Sequence, residues 1–303
     1  MDHFEYDEFG LFHENAEEFG LPFHAPPIVR RTFVEVAAGR RLSALLWGEN
    51  EPELVLLHGG AQNAHTWDTV AMALGRPLVA VDLPGHGHSD GPGDAGIPGS
   101  AADVAVAVRR LAPDARGVVG MSLGGLTAIA LAKAAPELVR KLVLVDVLPG
   151  LKGSRSMHIA DFVNGPQTFD SLDDLLERTA AFNPTRSRSS LRRGILHNAE
   201  QQEDGTWRWR WARHRPLASE SSPDQTPESL FEELWESVSS IGVPLMLARG
   251  MRPDSVLGDE DEDELRRRLP SARVVHVEEA GHSLQGDTPL ELAALIENFV
   301  FGS

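Results

Sequence analysis

One run dictates what must surround it: Gly120-Met121-Ser122-Leu123-Gly124, a G-x-S-x-G pattern followed by Gly125. A β-prone segment, Gly117-Val118-Val119, precedes it, and a helix-prone, largely apolar run from Leu126 to Lys133 follows. A serine on so tight a strand-to-helix turn sits in a strained backbone conformation, and its neighbours must be small. Gly120, Gly124 and Gly125 meet that demand. The turn lifts the Ser122 hydroxyl clear of the sheet and points a helix N-terminus at it.

The flanking chain supplies the sheet. Arg31 to Ala37 and Arg41 to Trp47 read as two strands joined by the turn Ala38-Gly39-Arg40. Glu53 to Leu57 is an apolar strand ending in His58-Gly59-Gly60, and Leu78 to Val81 another, ending in Asp82-Leu83-Pro84-Gly85-His86-Gly87-His88-Ser89. Lys141 to Val145 runs into Asp146, Val243 to Ala248 resumes the pattern, and Ala272 to Val277 closes it. Helices are expected over Thr66–Leu74, Ala101–Leu111, Asp259–Leu269 and Pro289–Phe299. Apolar strands without period-two alternation, interleaved with helices, predict an α/β fold with a mostly parallel sheet covered on both faces.

Between Pro149 and Ile241 proline, serine and charge rise and no buried parallel strand is evident. The expected organisation is therefore an N-terminal arm (1–30), a first core segment (31–148), a mainly helical cap insertion (149–241) and a second core segment (242–303). The arm is acidic but carries Phe4, Tyr6, Phe9, Phe12, Phe19 and Phe23, too many aromatics for a disordered tail.

Composition bounds the partners. A formal net charge of −17 argues against nucleic acid and anionic membrane surfaces. Zero cysteines exclude disulfides, a thiolate nucleophile and cysteine-based metal sites. No basic-then-apolar leader and no membrane-length apolar run are present, so a cytoplasmic protein acting on a small molecule is expected, with a homodimer left open.

With these pieces in place the chain resembles the α/β-hydrolase superfamily, as a serine-nucleophile member with a cap. Landmarks matching in order are His58-Gly59-Gly60, Asp82 through Ser89, Ser122 on its turn, and Gly281-His282 after the last strand. The resemblance covers residues 31–302 and places the insertion where that family carries its cap.

The chemistry can be argued from the residues. A serine hydroxyl needs a base within hydrogen-bond reach. Of twelve histidines, His282 is favoured by its glycine-flanked loop near the chain end. This gives the order Ser…acid…His expected of this fold. An acid must orient His282; the resemblance implies Asp254, in the loop after Val243–Ala248, with Asp146, after the strand that follows the serine's helix, as runner-up. The oxyanion donors are expected to be the N–H groups of Leu123 and Gly60, with Ala61 as an alternative to the latter. His65, His158, Arg188 and Trp209 are candidate substrate contacts. Arg186, Arg192 and Arg193 could form a solvated face or hold a substrate carboxylate. Trp207-Arg208-Trp209-Arg210-Trp211 alternates in period two and could put its tryptophans on one face.

These readings predict a cofactor-free, metal-free serine hydrolase of an ester, lactone or related carbonyl compound. The rivals are a C–C hydrolase of a ring-cleavage diketone, a cofactor-free peroxidase and a non-catalytic receptor of the same fold.

Overall fold

The computed structural model describes residues 5–93, 96–150, 161–211 and 227–302. Its centre is an eight-stranded sheet of β1 (Val29–Ala37), β2 (Arg40–Trp47), β3 (Leu54–Leu57), β4 (Leu78–Val81), β5 (Gly117–Met121), β6 (Leu142–Val145), β10 (Leu245–Gly250) and β11 (Arg273–Val277). The spatial order is β1-β2-β4-β3-β5-β6-β10-β11. β1 and β2 form the expected hairpin, β2 is antiparallel to β4, and every pairing from β4 to β11 is parallel.

The apolar strands serve two cores at once. In β3, Val55 and Leu57 point into one buried cluster and Leu54 and Leu56 into the other. The same division holds in β6, with Leu142 and Leu144 on one face and Val143 and Val145 on the other. A strand with both faces buried needs apolar residues at every position, which is why no alternation is visible in the sequence. The covering helices are α1 (Phe12–Phe19), α2 (Asp68–Leu74), α3 (Ile97–Leu111) and α4 (Leu123–Ala134).

Among the described residues the insertion contributes a three-stranded antiparallel sheet with helices beside it. The strands are β7 (Thr168–Phe169), β8 (Ala199–Gln201) and β9 (Trp207–Trp209), in the order β7-β9-β8. The helices include α5 (Leu172–Phe182) and α6 (Arg188–Asn198). Trp207, Trp209 and Trp211 are all buried in a separate apolar cluster with Phe169, Leu175 and Ile195. The period-two reading of that run holds.

The next helix, α7 (Pro227–Ser239), differs from expectation. Leu234, Trp235 and Val238 are buried in the main core beside the sheet. The expected cap limit of residue 241 therefore takes in a helix that packs as part of the core layer. Three further helices, α8 (Asp259–Arg268), α9 (Leu284–Asp287) and α10 (Pro289–Ile296), complete the core. Among the described residues no helix is long and apolar enough to cross a membrane.

The arm is tied to both the core and the insertion. Asn15 Nδ2 donates to Thr69 Oγ1 on α2 at 2.9 Å. Arg193 on α6 pairs with Glu18, and with Glu14 at 3.6 Å. Ser187 donates its hydroxyl to Glu18 at 2.6 Å.

Candidate active site

Ser122 joins β5 to α4 with φ 50° and ψ −120°, a positive φ that side-chain-bearing residues rarely adopt. The conformation survives because the glycines around it admit close backbone contact. A Cβ at Gly120 would stand 2.5 Å from the Gly124 carbonyl oxygen, and one at Gly124 would collide with the carbonyl of Leu57. The Ser122 carbonyl accepts from the Gly125 and Leu126 N–H groups at 2.8 and 3.1 Å, locking the first turn of α4.

His282 lies in the loop between β11 and α9. Its Nδ1 donates to Asp146 Oδ2 at 2.9 Å. Asp146 follows β6, is fully buried, and has φ 45°. Its carboxylate also accepts from the Gly250 N–H at 3.0 Å, the Ser255 hydroxyl at 2.7 Å and the Val256 N–H at 3.1 Å. Those donors belong to the end of β10 and the loop after it. This corrects the expectation for Asp254. That residue lies in the anticipated loop, but its half-exposed side chain packs on the Cα of Gly281 and faces Arg252 Nε at 3.5 Å. The loop supplies hydrogen bonds to the carboxylate on His282 in place of the carboxylate itself. A buried carboxylate with several donors is held in place.

Ser122 and His282 line one cavity of about 680 Å³, together with Gly60, Ala61 and Leu123. The Leu123 N–H opens α4, and Gly60 sits opposite the Leu123 side chain. His58, beneath this loop, is a structural residue. Its Nε2 accepts from the Leu83 N–H at 2.9 Å and its Nδ1 donates to the Gly59 carbonyl at 2.7 Å. Burial pushes its pKa down to about 3, so the ring is neutral with a fixed tautomer.

The predicted substrate contacts divide. His65 and Trp209 line the cavity. Arg188 does not: it is exposed and paired with Glu177 at 2.5 Å. His158 lies outside the described residues. Arg186, Arg193 and His197 line the cavity instead, as do Asn15 and Phe19 from the arm. In the 1–30 segment the aromatics already marked Phe19, and a further signal was open there, the acidic pair Glu14 and Glu18 on one helical face. That spacing marks a face seeking cations but does not say where they are.

Against the cavity floor is a buried polar network. His65 Nδ1 meets Asp68 Oδ2 at 2.9 Å and its Nε2 meets Glu8 Oε1 at 3.1 Å. Burial opposes a charge on His65, but the two carboxylates outweigh it and raise its pKa to about 9. His197 stacks on His65 with ring centroids 3.8 Å apart. Burial, with the cation on His65, holds His197 neutral. The Tyr6 hydroxyl donates to its Nδ1 at 2.6 Å. Asp68, His65 and His197 bring potential ligand atoms within 4.8 Å of one another. Both ring nitrogens of His65 and Nδ1 of His197 are already turned to hydrogen-bond partners, and two parallel stacked imidazoles do not converge their lone pairs on a common point.

A strained serine, an imidazole fixed by a buried carboxylate, and backbone N–H groups at a helix start can together perform acyl transfer. Comparison with known proteins gives the family. Residues 54–295 match the model of the alpha/beta hydrolase family. The chain is 42% identical to the esterase Rv0045c of Mycobacterium tuberculosis, over 96% of this chain and 94% of that one. A crystal structure of that esterase superposes with a TM-score of 0.83 at 39% identity, covering 99% of this chain and all of the other. The chain is also 32% identical to a pimeloyl-[acyl-carrier protein] methyl ester esterase of Nitrosomonas europaea, over 77% of this chain and 90% of the relative. The chain belongs to the alpha/beta hydrolase family.

Proposed function

We propose that the protein is a serine hydrolase of carboxylic esters, working through an acyl-enzyme. Ser122 Oγ attacks the ester carbonyl as His282 Nε2 takes its proton. Asp146 holds the imidazole in the tautomer whose Nδ1 bears hydrogen, and stabilises the imidazolium that forms. The N–H groups of Leu123 and Gly60 receive the developing oxyanion. His282 returns the proton to the leaving alcohol, and water, deprotonated by the same imidazole, releases the acid.

The observation that carries this reading is the Asp146–His282 hydrogen bond in a cavity shared with a strained Ser122. The esterase relatives support the same class of reaction. The β7–β9 sheet with α5 and α6 forms the opposite wall of the cavity and is the part proposed to choose among esters.

The test is covalent labelling with a fluorophosphonate followed by a panel of p-nitrophenyl esters. The wild-type chain should label once and turn over esters, and Ser122→Ala should do neither while keeping its circular dichroism spectrum. Labelling at Ser122 without turnover of any ester would instead indicate a ligand receptor on the same fold.

A further inference from the structure

Arg186 brings a positive charge into the cavity with no carboxylate of its own. It stands between α5 and α6 and lines the same cavity as Ser122 and His282. Its Nη2 donates to the Ser190 hydroxyl at 2.5 Å. Among the described residues no carboxylate lies within ion-pair distance of it, whereas its neighbours Arg188 and Arg193 are both paired. The acids closest to it in effect, Asp287 and Glu18, are engaged elsewhere. Asp287 Oδ2 accepts the Gly281 N–H at 3.0 Å, and Glu18 serves Arg193 and Ser187. Burial accordingly lowers the Arg186 pKa more than those two acids raise it.

Its position ties it to the chemistry. The guanidinium packs on the Cα of Gly286, where any Cβ would collide with it. Gly286 belongs to α9, the short helix that begins directly after His282-Ser283. The charge therefore sits against the segment that carries the proposed base. The cavity lining includes apolar Phe19, Phe182 and Leu191 beside polar Asn183, Ser190 and Gln285.

A guanidinium is planar, permanently charged and presents two parallel N–H groups to a carboxylate. Partly desolvated and without a counter-ion, it bears a cost that an incoming anion removes. We infer that the enzyme acts on esters that carry a free carboxylate, and that Arg186 anchors that carboxylate. This inference rests on the ester-hydrolase reading above.

Matched ester pairs test it: p-nitrophenyl butanoate against the hemisuccinate, p-nitrophenyl octanoate against the hemisuberate, and ethyl butanoate against the butanoyl ester of glycolate. The first two pairs put the charge on the acyl side and the third on the alcohol side. In Arg186→Gln the charged-to-neutral ratio of kcat/KM should fall about 10–100-fold in one arm, chiefly through KM, with Arg186→Lys recovering part of it. Fluorophosphonate labelling counts folded sites in each preparation. Independently of turnover, calorimetric binding of succinate or suberate to Ser122→Ala should weaken by a similar factor when Arg186→Gln is added. Unchanged ratios in every arm together with unchanged binding would overturn the role of Arg186 alone. Hydrolysis that persists in Ser122→Ala would overturn the serine mechanism, while the binding comparison would still decide the anion site.

Discussion

Asp146 has four hydrogen-bond donors on its two oxygens, one of them His282. An amide at that position cannot accept from Nδ1–H in the same geometry without presenting its own N–H to one of these donors. Asp146→Asn should therefore lower kcat by roughly 10³–10⁴, whereas Asp254→Asn should stay within about threefold of the parent. Steady-state rates on one p-nitrophenyl ester decide between them, and the reverse ranking would return the acid to the β10 loop. Ser122 and His282 were legible because each sits in a local signature, glycines around one and a strand followed by Gly281 before the other. The acid was not. Two aspartates follow consecutive strands of the sheet, and which one reaches His282 depends on how the chain turns at each strand end. The positive φ of Asp146 is a backbone property that spacing does not reveal.

At the level of elements, α1 and α6 meet through the Arg193–Glu18 and Arg193–Glu14 pairs, with the arginine buried. Replacing both acids strands a buried cation. Glu14→Gln with Glu18→Gln should cost about 3 kcal/mol in urea unfolding and should increase hydrogen exchange along α6 before it affects the sheet. Equal exchange across both layers would show that the arm does not hold the insertion in place. The sheet strands could be read from the sequence because burial on both faces forces continuous apolar runs. The insertion could not. Its strands are two or three residues long, below any useful period, and α7 looks like cap material although Leu234, Trp235 and Val238 serve the core. Arg186 and Arg188 are indistinguishable as letters. Only the fold turns one inward to the cavity and leaves the other against Glu177 at the surface.

For the whole molecule, two buried histidines contribute to opposite limbs of the pH–stability curve. His58 has its pKa lowered to about 3 in the folded protein. Below its ordinary value the unfolded chain binds the proton and the folded one does not, so stability should fall as pH drops from about 6.5 toward 3. His65 has its pKa raised to about 9 among Asp68, Glu8, Arg31 and His197. Its contribution is complete below about 6.5 and should be lost as pH rises through 9. Urea midpoints across this range should peak near neutrality, and His65→Gln should flatten the alkaline limb. An alkaline limb of unchanged slope in that variant would refute the assignment. The bond between Arg193 and Glu18 has a further consequence, for the order of assembly. Its partners are 175 residues apart. At a synthesis rate of about 5–20 residues per second, α1 leaves the ribosome roughly 10–30 s before the residues it will hold. During that interval the partners already available to it are those of the core, Trp47 for Phe12 and Thr69 for Asn15. α1 can therefore dock on the core early, but its bond to α6 and the wall that α6 gives the cavity form only once that helix has been made.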